Sequence, residues 1–224
     1  MTERIILTLA ILGGTGKEGQ ALAARWAKAG YHVIIGSRSR DKAEKTMAAV
    51  NQRLGEDVVH GMENAEAAAA CDIAVLTVPF EAHRSTLESM KDQLQGKLLV
   101  DVSVPVNPDD PAVVKIPPAG SGAQEAKEIL GSGVDVVAAF QNVSHTHLKR
   151  DEPVPCDVLV CGDDEAAREQ VLRLIKAAGL VGWDAGPLQN AVVVEGLTAI
   201  LLGINKRYKI KGAGLRITGE QEPA

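Results

Sequence analysis

The sequence predicts an α/β protein in which a doubly wound parallel sheet is followed by a small C-terminal α/β domain. Three observations carry that prediction. Runs of β-branched residues alternate with Ala-rich helical stretches, as right-handed strand–helix–strand crossovers require. An apolar stretch at 5–12 runs straight into Gly14-Thr15-Gly16-Lys17-Glu18-Gly19, the strand–turn–helix setting that gives a glycine-rich turn its meaning. From Asp151 onward the spacing of the elements changes. The domains are accordingly placed at 1–145 and 146–224.

The elements follow in order. The first strand, at 4–12, ends in the glycine turn, and an Ala-rich helix at 16–29 follows it. Strand 31–36 begins after Gly30, and a helix at 40–54 starts near Asp41, with capping of that helix the alternative to a ligand role for the residues just before it. Strands are expected at 57–61, 72–78, 97–103 and 134–140, with helices at 63–70, 80–93 and 121–131 between them. Pro79 and Pro105 end their strands by removing a donor and fixing φ. In the second unit a strand at 156–161 leads through Gly162-Asp163-Asp164 into a helix at 164–178 and a short strand at 180–184. Gly186-Pro187 then opens a helix at 187–206 that is apolar around much of its girth through Val192, Val193, Val194, Leu197, Ile200, Leu201 and Ile204. So wide an apolar face must be covered, and a homodimer covers it economically. The residues from Thr218 read as a loosely held tail.

Composition narrows the function classes. The 224 residues carry a net charge of −5 and only 3% aromatics, so neither a basic field nor stacking platforms support a nucleic-acid partner. Three cysteines, Cys71, Cys156 and Cys161, lack zinc-type pairing and read as buried thiols in a reducing, cytoplasmic setting. The N-terminal apolar run lacks the cationic flank and cleavage site of a signal peptide. The late apolar run at 191–204 is interrupted by Glu195 and is shorter than a membrane span. No membrane association is expected.

The glycines point to a dinucleotide. Gly14 serves the tight turn, Gly16 lets backbone amides approach a pyrophosphate, and Gly19 lets the helix pack on its strand. Lys17 and Glu18 lie between them, at the positive end of the helix. The acidic residue that would bind a ribose hydroxyl about 20 positions on is missing. Ser37, Arg38, Ser39 and Arg40 stand there instead, and guanidinium groups suit a 2′-phosphate, which selects NADP(H). Thr77-Val78-Pro79-Phe80 and Val102-Ser103-Val104-Pro105 lie at strand carboxyl ends, where a ribose or nicotinamide would be flanked.

Catalytic acids and metal ligands are harder to find. His145-Thr146-His147 has i,i+2 spacing on an expected loop without partnered carboxylates, a weak metal signal. His83 reads as a surface or supporting residue, and His32 and His60 lie at strand edges. No catalytic residue and no metal site are assigned. If the hydride acceptor is a second organic ring, alignment and exclusion of water are the protein's main contributions.

Several blocks together resemble one family. Gly13-Gly14-Thr15-Gly16-Lys17-Glu18-Gly19, Gly36-Ser37-Arg38, Asp72-Ile73-Ala74-Val75-Leu76-Thr77-Val78-Pro79, Cys161-Gly162-Asp163-Asp164, Asp184-Ala185-Gly186-Pro187-Leu188 and Glu195-Gly196-Leu197-Thr198 are similar to segments of the NADPH-dependent coenzyme F420 reductases, or F420:NADP oxidoreductases. The resemblance implies a homodimer with a Rossmann-type N-terminal domain and reversible hydride transfer between NADP(H) and a 5-deazaflavin. It implies nucleotide contacts at Thr15, Gly16, Ser37, Arg38, Val78 and Pro79. For the deazaflavin it implies Gln141, Asn142 and Val143, where archaeal members carry His-Thr-Ile, together with Leu188, Gln189 and Leu197. The cationic run at 206–216 would attract an anionic coenzyme tail or serve the helix macrodipole. Two other functions remain open on the residues alone: reduction of a small imine, ketone or ferric substrate, and NADP sensing without catalysis.

Overall fold

The structure is a computed structural model that describes residues 6–219. Its elements are β1 (Thr8–Leu12), α1 (Lys17–Lys28), β2 (His32–Ser37), α2 (Arg40–Leu54), β3 (Val59–Glu63), α3 (Asn64–Ala70), β4 (Ile73–Leu76), α4 (Phe80–Ser89), α5 (Lys91–Leu94) and β5 (Leu98–Asp101). They continue with α6 (Gly122–Leu130), β6 (Asp135–Ala138), α7 (His145–Leu148), β7 (Asp157–Gly162), α8 (Glu165–Ala177), β8 (Val181–Asp184) and α9 (Ala191–Tyr208).

The strands form one sheet in the order β3-β2-β1-β4-β5-β6-β7-β8. All neighbours are parallel except β6 and β7. The reversal has a local cause. Between β6 and β7 the described chain forms only the single turn α7, without the packed helix that usually carries a parallel crossover. The chain winds outward from β1 through β2 to β3, then returns to the other side of β1 as β4. That reversal of strand order opens a crevice beyond the carboxyl ends of β1 and β4.

Alternation along the strands divides the core into two layers. Leu9 and Ile11 face α1, α2 and α8, whereas Ala10 and Leu12 face α3 to α6 and α9. Trp26 ties the first layer together: its ring meets Phe140 edge-on at 5.8 Å and its Nε1 donates to Leu174 O at 2.9 Å.

Several boundaries differ from those expected. The first strand begins at Thr8, and residues 4 and 5 of the expected span lie outside the described residues. The strand expected at 57–61 lies at Val59–Glu63, because Asn51 Oδ1 binds the Val58 and Val59 amides and holds the preceding loop against α2. The helix expected at 80–93 breaks at Met90, whose φ of −125° leaves the helical range and whose side chain is buried. The final helix begins with a 3-10 turn at Leu188–Asn190 and runs to Tyr208. It therefore exceeds the apolar run of the sequence, and by length and composition alone could cross a membrane. Here one of its faces packs against α6, with Glu195 buried at that contact.

Candidate active site

The glycine turn is assembled from three sides. Gly13, not Gly14, takes the left-handed conformation (φ 72°), and a β-carbon there would strike Val78. The Gly14 amide is shared between Ile11 O at 3.1 Å and Gly36 O at 3.0 Å. The Gly13 amide donates to Asn64 Oδ1 at 3.1 Å. A β-carbon built on Gly19 would lie 2.7 Å from Gly14 Cα, so the helix can approach the turn only without a side chain. Gly16 has open space before it, with nothing within 4 Å. As the N-cap of α1 it offers no side-chain cap, leaving first-turn amides free for an anion.

Two cavities lie along the crevice. One, of about 360 Å³, is lined by Ser37, Arg38, Glu63, Asn64, Ala65, Ser85, Thr86 and Ser89. Ser37 is buried with its Oγ accepting from the Ser39 amide at 3.3 Å, while Arg38 is exposed at the rim. Arg40 is drawn elsewhere, to the Glu66 carboxylate at 2.6 Å.

The larger cleft, of about 520 Å³, brings together Gly16, Glu18, Thr77, Val78, Pro79 and Val104 with Gln141, Asn142 and Val143. Thr198, Leu201, Leu202 and Asn205 of α9 close it, along with Ala213. Leu188 and Leu197 are not among its lining residues. Leu188 is buried in the core layer instead, its amide held by Asp163 Oδ1 at 3.0 Å. The helical repeat explains the change on α9: Thr198, Leu201, Leu202 and Asn205 share one face.

Gln141 and Asn142 are oriented by their amide nitrogens. Gln141 Nε2 donates to Asp101 O at 2.8 Å. Asn142 Nδ2 donates to Val194 O at 3.0 Å and to Thr198 Oγ1 at 3.1 Å, and the Thr198 hydroxyl donates to Gln141 O at 2.9 Å. Both side-chain oxygens, Gln141 Oε1 and Asn142 Oδ1, are buried and lack a partner among the described residues.

Electrostatics vary sharply around the cleft. Loss of solvent pushes the Glu18 carboxyl up to about 8. Burial, Lys17 and Lys149 hold His145, another lining residue, below the ordinary histidine value. His147 turns away to Gly212 O at 2.7 Å. Cys156 and Cys161 are pushed up to about 11 by burial and then by nearby carboxylates.

A buried ionic group behind the cleft was not evident from the sequence. His83 is fully buried, with Nε2 2.7 Å from Asp101 Oδ2 and Nδ1 3.2 Å from Glu125 Oε1. Arg84 reaches the other Glu125 oxygen at 3.0 Å. Burial alone would lower the His83 value, but the Asp101 and Glu125 contacts outweigh it and raise it. Glu195 accepts the Gly122 and Ala123 amides at 2.7 and 3.0 Å. Burial and Asp101 nevertheless push it up to about 8. One sequence signal existed: His83, Arg84, Asp101, Glu125 and Glu195 fall on segments that meet at the sheet's carboxyl end.

Comparison with known proteins gives this geometry a family. The family described as NADP oxidoreductase coenzyme F420-dependent matches residues 8–105. The F420-dependent NADP reductase of Methanocaldococcus jannaschii is 41% identical over 95% of this chain and 98% of its own length. The protein of the same name from Methanothermobacter thermautotrophicus is 40% identical over 99% of this chain and 100% of its own. A crystal structure of a candidate F420-dependent NADP-reductase from Arthrobacter shares the fold, with a TM-score of 0.80 and 22% identity over 95% of this chain and 100% of its own. With two fifths of its residues shared over nearly the whole length, this chain belongs to the F420-dependent NADP reductase family.

Proposed function

We propose that this protein transfers a hydride reversibly between NADP(H) and the 5-deazaflavin coenzyme F420. The observation that carries the reading is the pair of buried acceptors Gln141 Oε1 and Asn142 Oδ1, without partners among the described residues. Their own nitrogens are committed to Asp101 O, Val194 O and Thr198 Oγ1. A buried acceptor without a donor costs roughly 1–3 kcal/mol, which a ring edge bearing N–H groups would recover. The carboxamide of a nicotinamide and the pyrimidine edge of a deazaflavin both carry such groups.

The remaining residues take separate tasks. The free amides after Gly16 hold the pyrophosphate, and Ser37 and Arg38 receive the adenosine end with its 2′-phosphate. Val78, Pro79 and Val104 give the cleft apolar walls against which planar rings pack. The two coenzymes supply the redox chemistry when bound, and the protein supplies alignment and exclusion of water. Residues 146–224 complete the pocket through Thr198, Leu201, Leu202, Asn205 and Ala213.

Homodimerisation belongs to the same proposal. Val193, Ile200 and Leu202 of α9 are exposed, as are Val113, Val114 and Ile116. Gly196 brings α9 close to Val114, so the two sets make one apolar surface for a second copy to cover. The buried free thiols suit a reducing, cytoplasmic compartment.

The test mixes purified protein with NADPH and oxidised F420 and follows the deazaflavin absorbance, with flavin, imine and ferric acceptors run in parallel. Loss of the deazaflavin band with stoichiometric NADPH oxidation is expected. Turnover only with another acceptor, or NADPH binding without turnover, would replace the reading.

A further inference from the structure

We propose that His83 is a positioning residue: clasped between Asp101 and Glu125, it fixes the end of β5 and, through it, the Gln141 amide that faces the ring cleft. This inference rests on the proposed function for its substrates and on the buried side-chain geometry for its mechanism.

Asp101 is the hub. Its Oδ2 takes the His83 contact at 2.7 Å, its Oδ1 accepts the Ser103 amide at 2.9 Å, and its main-chain oxygen accepts Gln141 Nε2 at 2.8 Å. Three stretches of the cleft wall therefore meet at one residue. Ser103 belongs to the 102–106 wall, Gln141 to the 141–143 wall, and Phe80, stacked on His83 at a centroid distance of 5.3 Å and 28°, to the start of α4. A change in the Asp101 carboxylate would tilt the peptide that orients Gln141.

The imidazole needs both of its protons for this arrangement. A neutral ring donates from one nitrogen only, so the other would point a lone pair at a carboxylate oxygen. With both nitrogens facing carboxylates, the imidazolium satisfies each. The charges then alternate along a chain that runs inward from the exposed Arg84, positive, through Glu125, negative, and His83, positive, to the buried Asp101, negative. Glu195, from α9, is the remaining titratable group of the cluster, and it is held by the α6 amides. Such a chain is costly to bury and to break. Its value lies in fixing geometry, since small misplacement of reacting rings costs rate steeply.

The experiment compares wild type with His83→Gln and Glu125→Gln. In ligand-free wild type, nitrogen NMR of the labelled ring should find both His83 nitrogens protonated at pH 7.5, a value we choose as about one unit above the ordinary histidine pKa. His83→Gln should raise the KM for F420 or lower kcat by about tenfold to a hundredfold, with the NADP+ dissociation constant, read by calorimetry, changed by less than about threefold. Glu125→Gln keeps an acceptor but removes a charge, and should fall between the two. If His83→Gln does not fold, Glu125→Gln and the ring spectrum decide. A neutral His83 ring, or equal losses for both coenzymes in proportion to lost stability, would overturn the proposal. Wild type that fails to reduce F420 would instead refute the proposed substrate, leaving the ring spectrum as a separate test of His83.

Discussion

The side-chain oxygen of Asn64 accepts the amide of Gly13 at 3.1 Å, joining the first residue of α3 to the turn after β1 across 51 positions of sequence. Gly36 must lack a side chain for this to occur, because a β-carbon there would lie 2.7 Å from the same oxygen. Asn64 also lines the cavity proposed for the adenosine end, so one side chain couples the shape of the turn to that cavity. Asn64→Ala should cost about 1–3 kcal/mol, the range for a lost hydrogen bond that strands its partner, and should weaken NADPH binding. Denaturant midpoints and calorimetric titration check this, and wild-type values in both would contradict it.

Arg38 stands at the rim of the cavity proposed for the adenosine end with no carboxylate partner among the described residues, whereas Arg40 is held by Glu66. Arg38→Ala should reduce the preference for NADPH over NADH by about 1.5–3 kcal/mol, as expected for a charge-assisted contact to a phosphate. The ratio of kcat/KM for the two nucleotides measures it. Arg40→Ala should change that ratio much less.

Gly16 and Gly19 separate binding from folding. A methyl group on Gly19 would meet Gly14 backbone atoms at 2.7 to 3.0 Å, so Gly19→Ala should destabilise the fold by about 1–3 kcal/mol through overpacking. Gly16 has φ −72° and open space, so Gly16→Ala should fold normally. Its methyl group would intrude where the pyrophosphate is proposed to lie, and NADPH binding should suffer alone. Thermal melts alongside nucleotide titrations distinguish the two cases. Equal stability losses at both positions would contradict the division.

What could be read in advance depended on whether the information was local. The Gly14-x-Gly16-x-x-Gly19 turn, the alternating strands and the NADP-type residues after β2 are local patterns, and their elements lie within a few residues of where they were expected. The left-handed Gly13 required Val78, and the position of β3 required Asn51, both remote in sequence. Leu197 gives way to Thr198 because the phase of α9 decides which face meets the cleft, and Glu195 binds the α6 amides in that phase; Leu188, in the 3-10 turn before α9, is held in the core by Asp163. His83 was obscure for the same reason: its meaning comes from Asp101 and Glu125, 18 and 42 positions away.

Glu18 gives the cleft a pH dependence whose sign can be worked out. Its folded value lies at about 8, above the ordinary 4.5, because the half-buried carboxyl loses solvent. The folded protein therefore favours the protonated form. The associated stability is fully present below 4.5 and is lost as pH rises through about 8. The same ionisation acts on binding, since Glu18 lines the cleft beside Gly16, where the pyrophosphate is proposed to lie. Below pH 8 the neutral carboxyl does not oppose the phosphates; above it a like charge does. The NADPH dissociation constant should thus rise by about fivefold between pH 7 and pH 9, equivalent to ~1 kcal/mol of charge repulsion close to water. Glu18→Gln removes the titrating proton while keeping the size of the side chain, and should flatten the profile. Calorimetric titrations of both proteins across that range provide the check; parallel profiles would show that another group controls the response.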